Sequence, residues 1–151
     1  MNKTAMPGFS PCNNATLRRA ARKLSRFYDD VIAPSGLKGT QYGLLYQIYV
    51  GSEPAMGTIA EEMVMDLSAL GHTLKPLIRD GFLETFADPD DRRIKRVRLT
   101  QQGRTKLDEA MKLWQAAQQR FEDVVGKEKA ERLRAVLDDI AALDFDLPPA
   151  A

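Results

Sequence analysis

DPDDRRIKRVRLT, residues 88–100, is the stretch whose reading decides the fold. It sets three aspartates ahead of five arginines and lysines. Asp-Pro-Asp-Asp is turn chemistry, because proline fixes its own φ and aspartate hydrogen-bonds nearby backbone. The residues after the turn alternate. Val97 and Leu99 fall on one face of a strand, and Arg96 and Arg98 on the other. Phe82-Leu83-Glu84-Thr85-Phe86 is the natural partner. The stretch therefore predicts a β-hairpin with a half-buried return strand and a charged tip.

Upstream of the hairpin, Asp66 is placed to cap a helix over 67–80, with its carboxylate on the free amides of the first turn. Leu70, Leu74, Leu77 and Ile78 make its apolar stripe, and Gly81 ends it. Before it come a short helix over 57–64, carrying Ile59, Ala60 and Met63, and a helix over 40–50. The latter presents Tyr42, Leu45, Tyr46 and Tyr49 and breaks at Gly51-Ser-Glu-Pro. A short helix, a tight turn, a second helix and a hairpin make a winged helix-turn-helix, whose second helix enters the major groove of DNA. The fold class is mainly α with a small β wing.

Longer helices flank this lobe. Residues 12–33 carry Leu17, Ala20, Ala21, Leu24, Phe27, Val31 and Ile32 at helical spacing, and Pro34-Ser-Gly stops them. Thr100 is placed to cap a helix over 101–125, striped by Leu107, Met111, Trp114, Ala117, Phe121 and Val124. Gly126 separates it from a last helix over 128–143, with Leu133, Val136, Leu137 and Ile140. Residues 1–11 read as a loose arm and 144–151 as a tail without helical pattern. There is no internal repeat, and the reading is one domain over 1–151 with a winged-helix lobe over 37–100. The flanking helices carry more apolar surface than so small a lobe covers, and a second copy of the chain is the expected cover.

Composition narrows the function. The chain has 151 residues and a net charge of +1, so any nucleic-acid role must come from charge placement. Cys12 is the single cysteine and His72 the single histidine, too few for a tetrahedral zinc site without several carboxylates. No phosphate-binding glycine loop or nucleophile elbow occurs. The expectation is no enzyme, no cofactor, no metal and no membrane span, in a reducing cytoplasmic setting.

Beyond these readings, the chain resembles the MarR family of bacterial transcription regulators. Asp91-Arg92-Arg93 followed by Leu99-Thr100-Gln-Gln-Gly103 is similar to the family's D-x-R and L-T-x-x-G patterns. DLSALGHTLKPLIRDGFLE (66–84) and GLKGTQYGLL (36–45) resemble its recognition helix and the opening of its second helix. The likeness spans about 12–143. It implies a dimer built on helices from both chain ends (12–33 and 101–143). It also implies a repressor that leaves a pseudo-palindromic operator when a small ligand or an oxidant acts.

The stripe of the recognition helix leaves Ser68, Gly71, His72, Lys75 and Arg79 facing outward, as candidates for double-stranded DNA. Arg92 is the candidate for minor-groove insertion, and the resemblance implies that Asp91 and Arg93 pair to shape the wing. Lys95, Arg96 and Arg98 are placed to track phosphates, and the resemblance, whose members often hold a phosphate with a Ser or Thr ahead of the second and third helices, implies Thr40 and Thr58 as further candidates. For an effector, Tyr42, Tyr46, Tyr49 and Trp114 are candidate walls, with Arg18 and Arg22 to pair an aromatic or other organic acid. Cys12 near a helix start is the rival, a redox-sensing thiol. A different class of reading is a winged helix used only as a protein-interaction module.

Overall fold

The computed structural model describes residues 12–145. The loose arm expected over 1–11, and residues 146–151 of the tail, lie outside them. In chain order the elements are α1 (Asn13–Ile32), α2 (Gly39–Val50), α3 (Met56–Glu62), α4 (Leu67–Arg79), β1 (Leu83–Ala87), β2 (Lys95–Leu99), α5 (Gln101–Val125) and α6 (Lys127–Ala142). This is the winged helix-turn-helix between long end helices.

Helix boundaries follow local chemistry. A 3₁₀ turn over Ala33–Ser35 ends α1, and Gly36 closes it at a φ of 79°. The second helix starts at Gly39, one residue earlier than expected. Its first amide donates to the Asp29 carboxylate at 2.7 Å, and Lys38 N donates to Gln41 Oε1 at 3.0 Å. Asp66 caps α4 by accepting from Ala69 N at 2.7 Å. Between α3 and α4, Val64 takes a left-handed φ of 52°, a costly conformation for a β-branched residue.

The wing is an antiparallel pair in which Leu83 faces Leu99 and Thr85 faces Val97. Its first strand begins one residue later than the sequence suggests, because Phe82 belongs to the turn after α4. Phe82 N donates to Leu77 O at 2.9 Å, and Phe82 O accepts from Thr100 N at 3.1 Å. The α2–α3 loop adds a short third edge: Ala55 bridges Arg96, and Val97 N donates to Pro54 O at 3.1 Å.

The core gathers Ile32, Leu44, Leu45, Ile48, Ile59, Leu70, Leu74, Leu77, Val97 and Leu107, all inaccessible or nearly so. Each such side chain contributes about 1.5–3 kcal/mol by leaving water. Two expected stripes need correction. Ile78 is exposed. On α2, Tyr46 and Tyr49 are exposed while Leu44 and Ile48 are buried, because α2 packs against α1, α5 and β2 together.

The wing meets the end helices at a tight joint. Thr100 Oγ1 donates to Gly81 O at 2.6 Å and accepts from Gly103 N at 3.0 Å. A Cβ at Gly103 would lie 1.9 Å from Phe82 O, so only glycine fits this approach. Past the joint, α1 and α6 bury little: Ile32 alone on α1 and Ala130 alone on α6, among the described residues.

Candidate nucleic-acid interface and effector cavity

On α4, burial of Leu70, Leu74 and Leu77 turns Ser68, His72, Lys75 and Arg79 outward, all exposed. Gly71 is partly covered, and a Cβ there would meet open space. Arg79 pairs with Asp80 at 3.0 Å. It sits at the far end of the helix, about 16 Å along the axis from Ser68.

The wing tip is organised by carboxylates. Asp88, buried, accepts from the amides of Asp90 at 2.8 Å and Asp91 at 3.0 Å, and from Arg96 Nε. These donors hold its carboxyl below the usual carboxylate range, Arg96 first and the two amides next. Asp91 accepts from Arg93 through Nε at 3.0 Å and Nη2 at 2.8 Å, and its pKa is lowered for that reason above all.

These bonds revise the expected role of the basic run. Arg96 is not an outward phosphate tracker. Its guanidinium is committed to Asp88 and to Glu53 O at 3.0 Å, so it clamps the wing onto the α2–α3 loop. Arg98 pairs with Glu84 at 2.7 Å, lies 3.7 Å from Glu53 and covers the Phe86 ring. Arg92 and Lys95 remain exposed, and neither has an ion-pair partner among the described residues.

Arg92 and Lys95 border an open hollow of about 670 Å³ with Gly57, Thr58 and Leu67. The hollow thus brings together the start of α3, the start of α4 and the wing tip. Thr40 is elsewhere. Its helix start already serves the Asp29 carboxylate through Gly39 N, and an added phosphate would meet that charge. Its reading as a phosphate contact is therefore not carried by the geometry.

Thr40 instead helps line a cavity of about 550 Å³ between α1, α2 and α5, together with Leu24, Tyr28, Asp29, Tyr42, Tyr46 and Trp114. Tyr42 is stacked between Tyr46 (6.1 Å) and Trp114 (5.9 Å). Burial, and then the neighbouring Tyr46, push the Tyr42 phenol up to about 12. Tyr28 donates to Gln118 Oε1 at 2.8 Å, and burial raises its pKa. Tyr49 lies outside this wall, under the Arg104 guanidinium at 4.1 Å.

Arg18 and Arg22 do not join the rings. They line an adjoining groove of about 630 Å³ with Arg26, Asp29 and Asp30, which meets the cavity at Ala21, Ser25 and Asp29. The charged side chain in the aromatic wall is the anion Asp29. Gln47, also in the wall, donates to Glu62 at the end of α3. Cys12 is a free, exposed thiol just before α1. Among the described residues no cluster of three or more His, Cys, Asp or Glu suits a metal ion, and no helix is long and apolar enough to cross a membrane.

Sequence reasoning missed Asp88 as the wing's organiser, Asp29 and Tyr28 as cavity residues, and Gln47 as a link to α3. The first aspartate of a DPDD turn is the signal that could have found Asp88. Asp29 and Gly39 lie ten residues apart in different elements, and no local pattern joins them.

Comparison with known proteins agrees with this geometry. The model of the MarR family matches residues 37–95. YdgJ, an uncharacterized HTH-type transcriptional regulator of Bacillus subtilis, is 28% identical over 112 residues, which cover 74% of this chain and 66% of that protein, just under two thirds of its length. The transcriptional regulator MosR of M. tuberculosis, solved in complex with DNA, is 33% identical over 86% of this chain and 93% of its own, with a TM-score of 0.77. CouR of Rhodococcus jostii RHA1, solved with p-coumaroyl-CoA, is 25% identical over 87% of this chain and 93% of its own, with a TM-score of 0.74. A wing pattern, a recognition helix and one-third identity across nearly the whole of a solved regulator converge on one assignment: this chain belongs to the MarR family.

Proposed function

We propose that this chain is a DNA-binding transcription regulator that acts as a cytoplasmic homodimer. In this reading it is a repressor that a small organic ligand releases from a pseudo-palindromic operator, and it has no enzymatic role. One observation carries the reading. The hollow between α3, α4 and the wing gathers Thr58, Leu67, Arg92 and Lys95 beside the outward face of α4; of its three cations Arg93 is paired with Asp91, while Arg92 and Lys95 have no ion-pair partner among the described residues, and Glu61 is the one carboxylate in the lining. Arginine at a wing tip suits a narrow minor groove, and Ser68, His72 and Lys75 suit base edges and phosphates. The DNA complex of MosR supports the reading.

Dimerisation is supported by the apolar faces left open on the end helices. Leu17, Val124, Leu133, Val136 and Ile140 are exposed there, and Phe27, Phe121 and Val124 line an apolar groove between α1 and α5. A two-fold dimer sets two recognition helices about 34–36 Å apart, one turn of DNA.

The aromatic cavity is the effector site in this reading, supported by its stacked rings, and the ligand complex of CouR supports only that a similar protein takes a small organic ligand. A flat organic body packs beside Tyr46 and Trp114. An acid group on the same ligand meets Arg18 or Arg22 only beyond Asp29, so the acid stands away from the ring. Gln47 offers the coupling: a ligand acceptor that takes its amide releases Glu62 at the end of α3, next to the turn that aims α4.

A gel-shift titration over salt, using the duplex upstream of the chain's own gene, tests the proposal. Arg92→Ala is expected to weaken binding and lower the slope of log affinity against log salt by about 1. Unchanged affinity would remove Arg92 from the interface. A chain that binds no duplex at all would be an interaction module instead.

A further inference from the structure

The face formed by α4 and the wing carries cations and small polar groups, yet the start of its helix is apolar. Leu67, the first residue of α4, is 57% exposed beside Ser68. Its side chain borders the hollow that Thr58, Arg92 and Lys95 share. Single exposed leucines are ordinary on protein surfaces. Leu17, Val124, Leu133, Val136 and Ile140 are exposed on the end helices, where the proposed dimer would cover them, and Val64, Ile78 and Ile94 are exposed in the winged-helix lobe, with Ile94 bordering the same hollow. Among these exposed apolar residues, Leu67 is the one that opens the first turn of α4. Leu67 lies far from the end-helix stripe in the chain, on the element that reads DNA.

We infer that Leu67 is a base-reading residue that packs on the C5-methyl of a thymine in the operator major groove. That methyl is the apolar group a base pair presents there, and the first turn of a recognition helix is the part that meets base edges. Arg92 and Lys95 fix the register from the wing side, and Ser68 serves the polar edge of a neighbouring base. Leu67 then adds discrimination for thymine without adding charge. The inference rests on the DNA-binding reading above and specifies one contact within it.

Deoxyuridine gives the test, because it differs from thymidine by that methyl alone. A randomised duplex library is selected with the full chain, and each thymine of the best-bound duplex is replaced singly by deoxyuridine. The native chain is expected to lose about fourfold in affinity at one thymine per half-site, the effect of one buried methyl. Leu67→Ala is expected to bind the thymine and deoxyuridine duplexes equally, with its salt slope unchanged, since no phosphate contact is lost. Leu67→Arg, reselected, is expected to prefer guanine at that place. If selection retains no duplex, the DNA-binding reading fails and takes this inference with it. If a duplex is retained but no thymine is sensitive, or Leu67→Ala keeps the sensitivity, the inference alone is overturned.

Discussion

Helices α4 and α6 share one sequence grammar and meet different ends. Both carry apolar residues at helical spacing against a charged face. In α4 the stripe of Leu70, Leu74 and Leu77 is sealed inside the chain. In α6 Ala130 is buried, while Leu133, Val136 and Ile140 are 37%, 55% and 42% exposed. Periodicity says that a face needs covering. It does not say whether the cover comes from the same chain. A stripe closed within the chain serves folding, and a stripe left open is the one that the proposed dimer would cover.

The sharpest way to break this contrast is a pair of substitutions. Leu74→Ala is expected to cost about 2–5 kcal/mol in urea unfolding, through lost burial and a cavity. Ile140→Asp is expected to leave the helical circular dichroism in place and to shift sedimentation from dimer to monomer. If Ile140→Asp unfolds the chain as Leu74→Ala does, the two stripes are not different in kind.

The joint between the two regions comes next in size. Gly103→Ala drives a methyl into Phe82 O, and the expected loss is about 1–3 kcal/mol in thermal melts, with the wing and α5 displaced together. An unchanged melting temperature would mean the joint is loose.

The smallest effect concerns the charged hairpin rather than either stripe. Asp88 titrates below its ordinary 3.8 in the fold, so the unfolded chain binds the proton more readily. Its stabilisation is complete above the ordinary carboxylate value and is lost as the pH falls through the lower folded value. Amide exchange at Asp90 and Asp91 is expected to speed up over that acid window while α4 stays protected. Asp88→Asn is expected to remove the step. Exchange that rises equally in α4 would tie the effect to global unfolding.

Much of this architecture is legible in the sequence. Element order and type come from periodicity and from local punctuation at Asp66, Gly81, Thr100 and Gly126. The rest is decided in three dimensions. Tyr46 and Tyr49 read as core and Leu44 and Ile48 do not, because α2 packs on several sides and has no single inner face. Outward cations on a strand look alike, and only the folded partners Asp88 and Glu53 separate Arg96 from Lys95. Arg18 and Arg22 pattern with the aromatic residues in sequence, yet the turn of α1 sends them to the neighbouring groove, beyond Asp29.

The inward bracing of the wing also bears on how such a molecule searches a genome. Sequence-blind attraction to DNA scales with the cations free to displace counterions. Here three of the five wing cations (Arg93, Arg96 and Arg98) are neutralised by carboxylates of the same chain, and the whole chain carries only +1. If the chain binds DNA as proposed, random sequence is expected to hold it weakly, and occupancy of the right site is expected to rest on contacts that fit, so that a modest loosening of those contacts empties the site.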